Sequence, residues 1–192
     1  MKVLALDASS KTGWATFTDG EYVDSGALEQ VKIIDFNVNN DPNLSPHYPY
    51  NIIDAAEEVA QSILKLVDLN DPNIVVIENT VRGRSRDTQR WLEFMHSAIL
   101  RILRHRVPVK YMDPSAWRKI VEMRLSNDQK KNNRDVSAGK KRGRIGKKHL
   151  SVNMVNEKYN LGLKLKNNDQ ADAILLGLAY CLTHKESSDT QI

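Results

Sequence analysis

Cysteine is almost absent from this 192-residue chain: Cys181 is the only one. A single thiol excludes an intrachain disulfide and a cysteine-rich zinc site. Histidine is also sparse. His47, His96, His105, His149 and His184 form neither an HxxxH nor an HExxH pair, so no zinc-hydrolase helix is present. Aromatic residues make up only 6% of the chain, and glycine occurs nine times. No apolar run approaches the ~18 residues that a membrane span requires. The chain opens on a strand-like run, Met1-Lys2-Val3-Leu4-Ala5-Leu6, without a signal-peptide or transit-peptide pattern. A soluble protein of the cytoplasm, not bound to membrane, is the expectation.

What is present is a globular composition, with 41% hydrophobic residues, and an uneven charge. The length fits a single domain. The net charge of +4 hides a net of −9 over residues 1–81, +5 over 82–117, +9 over 118–149 and −1 over 150–192. An acidic first part and a cationic middle point to a polyanionic partner, nucleic acid first. Arg82, Arg84, Arg86 and Arg90 form one basic cluster. Lys140, Lys141, Arg142, Arg144, Lys147 and Lys148 form a second, interspersed with glycine. Both are candidate DNA contacts through phosphate; the alternative is a solvated surface.

Periodicity gives the element order. Residues 3–7, 14–18 and 21–27 read as strands joined by tight turns, with Asp19-Gly20 as a hairpin signal. Ile52 to Val67 and Trp91 to Leu103 carry apolar residues at helical spacing. The first of these ends before Asp71-Pro72. Ile74-Val75-Val76-Ile77, β-branched throughout, reads as a strand buried on both faces. Residues 108–112 read as another strand, and Pro114 opens a short helix around Trp117 to Met123. Residues 124–146 contain almost nothing apolar and read as a flexible basic loop. Helices follow at about 147–158 and 169–183, and a polar tail at 184–192. The order predicts an α/β domain over 1–183: a mixed sheet, with a three-strand antiparallel meander feeding parallel strands, flanked by helices in an RNase H-like layout. The wide apolar stripe of the Trp91–Leu103 helix suits core or a dimer seam.

Four carboxylates stand where solubility does not require them. Asp7 and Glu78 end the first strand and the 74–77 strand. Asp169 and Asp172 lie one turn apart on an otherwise apolar helix. Ligands bind beyond the carboxyl ends of strands in such sheets. If the two strands are neighbours and the helix crosses them, the four groups converge. Clustered carboxylates repel and one must protonate unless a cation bridges them. Oxygen ligands select Mg²⁺, or Mn²⁺ in its place, and a pair of ions would make a phosphoryl-transfer centre. The competing reading makes Asp169 a helix cap and pairs Glu78 with an arginine. Ser9, Ser10 and Thr12 have no histidine near in sequence to activate them as nucleophiles.

These residues carry a resemblance. Asp7-Ala8-Ser9-Ser10-Lys11-Thr12-Gly13-Trp14-Ala15 is similar to the opening motif of RuvC-type Holliday-junction resolvases. Ile77-Glu78 resembles the second acidic motif of that family, and Asn168-Asp169-Gln170-Ala171-Asp172-Ala173 its closing helix. The motifs fall in order over residues 1–30 and 70–183. The resemblance implies a homodimeric, RNase H-like endonuclease of DNA recombination and repair that makes paired nicks in four-way junctions. It implies two Mg²⁺ per active site on Asp7, Glu78, Asp169 and Asp172 as catalytic ligands. It also implies phosphate contacts by Arg118, four residues after Pro114, and by Lys148. Residues 31–51 and the long 124–146 segment depart from the cellular bacterial pattern. They suggest a divergent, phage-type branch, hence a bacterial or phage-infected host cell.

Two other function classes remain in view. A non-catalytic branched-DNA-binding protein would use the basic clusters alone, with the carboxylates serving structure. An actin-like phosphotransferase would need a second domain and a second glycine-rich loop. Nine glycines in 192 residues do not supply them.

Overall fold

A computed structural model describes residues 1–32, 49–80, 85–139 and 143–189. Strands β1 (Lys2–Asp7), β2 (Gly13–Thr18) and β3 (Glu21–Ala27) form an antiparallel meander. Asp19 and Gly20 turn the second hairpin with φ of 52° and 86°, the conformation that a two-residue turn of this hand requires. Helix α1 (Tyr50–Asn70) then leads to β4 (Ile74–Glu78), and α2 (Arg86–Leu103) to β5 (Val109–Met112). Both strands are parallel to β1, and the sheet order is β3-β2-β1-β4-β5. Helices α3 (Pro114–Ile120), α4 (Asn127–Ser137), α5 (Lys147–Tyr159) and α6 (Asn168–Asp189) complete the chain.

Alternation along the strands divides the core in two. Leu4, Leu6, Val75 and Ile77 face α1 and α2, where Val59, Ile63, Met95 and Ile99 close the layer. Val3, Ala5, Ala15, Phe17 and Val76 face the opposite way, onto Trp117, Val155 and the α6 residues Ile174, Leu175 and Leu176. The apolar stripe of α2 therefore belongs mainly to the core: Trp91, Met95 and Ile99 are buried, while Leu100 stays exposed.

Helix α6 has apolar residues on nearly every side because it is enclosed by β1, β2, α3 and α5. It lies close to the sheet because two glycines permit it. A Cβ at Gly177 would stand 2.3 Å from the Phe17 ring. A Cβ at Gly13 would stand 2.0 Å from the carbonyl oxygen of Asp169. The first turn of α6 is thus seated on the end of β2, beside Asp7, with which Gly13 is paired in register.

Two expectations need correction. The helix that Pro114 opens after β5 ends at Ile120, short of the expected Met123. Asp113 caps it, accepting from the Ser115 N–H at 2.7 Å, and proline fits the first helical position. Residues 127–137, expected as flexible loop, are the helix α4. It buries no residue; instead Ser126 and Gln129 form a reciprocal capping box. The Asn133 side chain also clasps Ile145, donating to its carbonyl oxygen and accepting from its N–H, each at 2.8 Å. No helix among the described residues is long and apolar enough to cross a membrane.

Candidate active site

Parallel pairing of β1 with β4 puts Leu6 opposite Ile77. Asp7 and Glu78, the next residue in each strand, therefore emerge side by side at the same edge of the sheet. The first turn of α6 adds Asp169 and Asp172. The structure brings together all four carboxylates singled out from sequence.

Their electrostatics show the proximity. The Asp7 carboxyl is pushed well above the ordinary range, by burial first, then by Asp172, Glu78 and Asp169. Asp172 is raised to about 6, mainly by burial, with Glu78 and Asp169 adding to the shift. A hydrogen bond from Ser151 and the charge of Arg118 oppose it. Burial also raises Glu78, against Arg118, a Trp117 hydrogen bond and Lys147.

Glu78 is held by α3. The Trp117 indole Nε1 donates to its Oε2 at 2.7 Å, and an Arg118 nitrogen reaches the same oxygen at 3.4 Å. Glu78 is thus paired with an arginine, the arrangement that the competing reading anticipated, while also belonging to the acidic cluster. Lys148 Nζ donates to Asn168 Oδ1 at 3.4 Å, and Asn168 Nδ2 donates to Asp169 Oδ1 at 2.5 Å. Lys147 is exposed but near enough for its charge to act on Glu78.

Arg118 and Lys148 therefore border the acidic cluster directly. Arg86 is exposed on the first turn of α2, and Arg90 on the next turn pairs with Asp87 at 3.8 Å. Arg144 is exposed just before α5. Arg82, Arg84, Lys140, Lys141 and Arg142 lie outside the described residues. Ser9 and Thr12 are bound into their own turn, the Thr12 hydroxyl donating to the Ser9 carbonyl at 2.8 Å.

Sequence reasoning missed Trp117, Ser151 and Asn168 as site residues. Ser151 carried a faint signal, a lone hydroxyl in the otherwise apolar Leu150–Val152 stretch, where it is fully buried. Asn168 is similarly a buried polar residue, at the start of α6. Nothing local marks Trp117, whose indole finds Glu78 only through the fold.

Such a mixed sheet, with carboxylates gathered past the ends of β1 and β4, defines the RNase H-like fold in its RuvC-like form. The comparisons give the same answer. The chain is similar in structure to Thermus thermophilus RuvC in complex with Holliday-junction substrate, with a TM-score of 0.63 at 12% identity, over 98% of this chain and 97% of that one. It is similar to the yeast mitochondrial Holliday-junction resolvase Ydc2, with a TM-score of 0.56 at 10% identity, over 98% and 81% of the two chains. Fowlpox virus resolvase, in complex with Holliday-junction DNA, aligns with a TM-score of 0.50 at 12% identity, over 96% and 99%. No protein-family model and no curated protein sequence matches the chain.

Proposed function

We propose that this chain is a metal-dependent endonuclease that resolves four-way DNA junctions by paired nicks. The observation that carries the reading is the convergence of Asp7, Glu78, Asp169 and Asp172 at one end of the sheet. Burial first, and their mutual repulsion after it, push Asp7 and Asp172 toward protonation. The junction as substrate is supported by the solved structures with this fold, two of which are junction complexes.

The donor set fits Mg²⁺ or Mn²⁺. It is all oxygen, and its repulsion is what a divalent cation relieves. Among the described residues, no three such side chains already stand close enough to hold an ion. Glu78 is turned instead to Trp117 and Arg118. Asp7, Glu78, Asp169 and Asp172 are the residues that would hold the metal. When bound, a metal pair supplies Lewis-acid stabilisation to the attacking and leaving oxygens of a phosphodiester.

The remaining work falls to the chain. Gly13 seats α6 so that Asp169 and Asp172 meet Asp7. Ser151 orients Asp172, and the Lys148–Asn168 contact orients Asp169. Lys147, exposed beside the site, and Arg144, exposed just before α5, suit the phosphates flanking the cut, with Arg86 and Arg90 extending the path along α2. Two symmetric nicks require two sites, so the active form is a two-fold dimer.

The test is cleavage of labelled four-way junction, fork, RNA–DNA hybrid and linear duplex, side by side, with Mg²⁺ and with chelator. Metal-dependent paired nicks in the junction are expected. Binding without cleavage in any metal would establish the non-catalytic alternative.

A further inference from the structure

Arg118 is enclosed more fully than an arginine serving only DNA requires. Its side chain is 18% exposed, and the guanidinium lies over the Trp117 ring, 4.6 Å from the centroid. Its contact with Glu78 is 3.4 Å, long beside the ~2.8 Å of a strong charge-assisted bond. Its Nε is buried and has no hydrogen-bond partner among the described residues. The charge of this arginine is used while its donors are poorly satisfied. A buried cation in that condition is cheap to move once another cation serves the carboxylates.

The surroundings say which groups it serves. Glu78 is 19% exposed and would stand largely desolvated without Arg118. Arg118 also opposes the upward shifts of Asp7 and Asp172. One guanidinium thus balances three members of the cluster from its α3 side.

We propose that Arg118 is the exchangeable counter-cation of the carboxylate site. It pairs with Glu78 when no divalent ion is bound, and the arriving ion displaces it, freeing the guanidinium for a DNA phosphate. The inference rests on the metal-site reading above. Arg118 is a positioning residue in this scheme: it holds Glu78 in place, and it makes metal entry and phosphate capture one linked event. Trp117 reports the exchange, because its ring carries the guanidinium on one face and its Nε1 holds the same carboxylate oxygen.

The experiment titrates Mn²⁺ into the full chain without DNA, followed by calorimetry and by tryptophan emission. Wild type is expected to bind Mn²⁺ with a saturable change in emission. Arg118→Gln, which keeps a polar side chain but removes the competing charge, is expected to bind Mn²⁺ at least about fivefold more tightly. Its emission change is expected to shrink, since no cation leaves the indole. Arg118→Lys, retaining a positive charge, is expected to stay near the wild-type affinity. Should Arg118→Gln fail to fold by circular dichroism, Arg118→Met is measured in its place with the same expectation. Equal or weaker Mn²⁺ binding by the uncharged variant overturns the inference. Absence of Mn²⁺ binding by wild type and variants alike overturns the metal-site reading, and this inference with it.

Discussion

Asp172 shows how a single side chain can be costly to the fold while serving the proposed site. Its carboxyl sits at about 6 in the folded protein against an ordinary value of 3.8. The folded state therefore holds the proton over a range where the unfolded chain has released it. Stability from this group falls as pH rises from about 4 to 6, by on the order of 3 kcal/mol at the upper end. Asp7 and Glu78 are shifted in the same direction and add to the effect. Metal-free protein is expected to melt at a lower temperature at pH 7 than at pH 5, with added Mg²⁺ recovering stability at pH 7 and little at pH 5. Asp172→Asn should raise the metal-free melting temperature at pH 7, abolish cleavage and leave junction binding intact or tighter. Scanning calorimetry with and without Mg²⁺, the cleavage assay and a junction-binding titration check these outcomes. The four carboxylates were legible in sequence because strand ends and an apolar helix are poor places for a solubilising charge. Trp117 and Asn168 were not legible, since their value comes from groups 39 residues and 20 residues away in the chain.

At the scale of elements, the placement of α6 decides whether a site exists. Gly13→Ala is expected to push the first turn of α6 off the sheet, lowering stability by about 1–3 kcal/mol and weakening Mn²⁺ binding. Gly177→Ala, which crowds Phe17 further along the same helix, should lower stability while sparing the metal affinity. Denaturant titration and calorimetry separate the two outcomes; equal metal affinity in both would remove Gly13 from the argument. Helix α4 presents Lys130, Lys131 and Arg134 to solvent. Changing these three to Ala should weaken binding to every DNA shape and reduce the salt slope by up to about 0.9 per lost phosphate contact. The helix escaped sequence reasoning for a definite reason. It has no apolar stripe to read, and its support is a capping box plus the grip of Asn133 on Ile145, twelve residues further along the chain. The strands were legible because period-two alternation and a β-branched run survive in any surroundings.

For the whole molecule, the sheet separates two tasks. One face, under α1 and α2, is a plain apolar core; the other carries α3, α5 and α6, and with them Trp117, Ser151 and the acidic turn. The outward side of α2 is mostly polar around Leu100, so a two-fold dimer using it would have a small apolar centre. Sedimentation at micromolar concentration is expected to show a dimer that junction DNA tightens; a monomer in both conditions would leave paired nicking without a basis. The two borders of the sheet have a separate consequence. One is β5, only four residues long with exposed Lys110, and the other is β3, with exposed Glu21 and Asp24 and a register break opposite Thr16/Phe17. Shortness, charge and a bulge are the features that stop one sheet from adding to another. The adhesive Ile74–Ile77 run is locked between β1 and β5. Concentrated stocks of the folded protein should accordingly resist fibril growth, and aggregation should begin only when β4 is uncovered by unfolding.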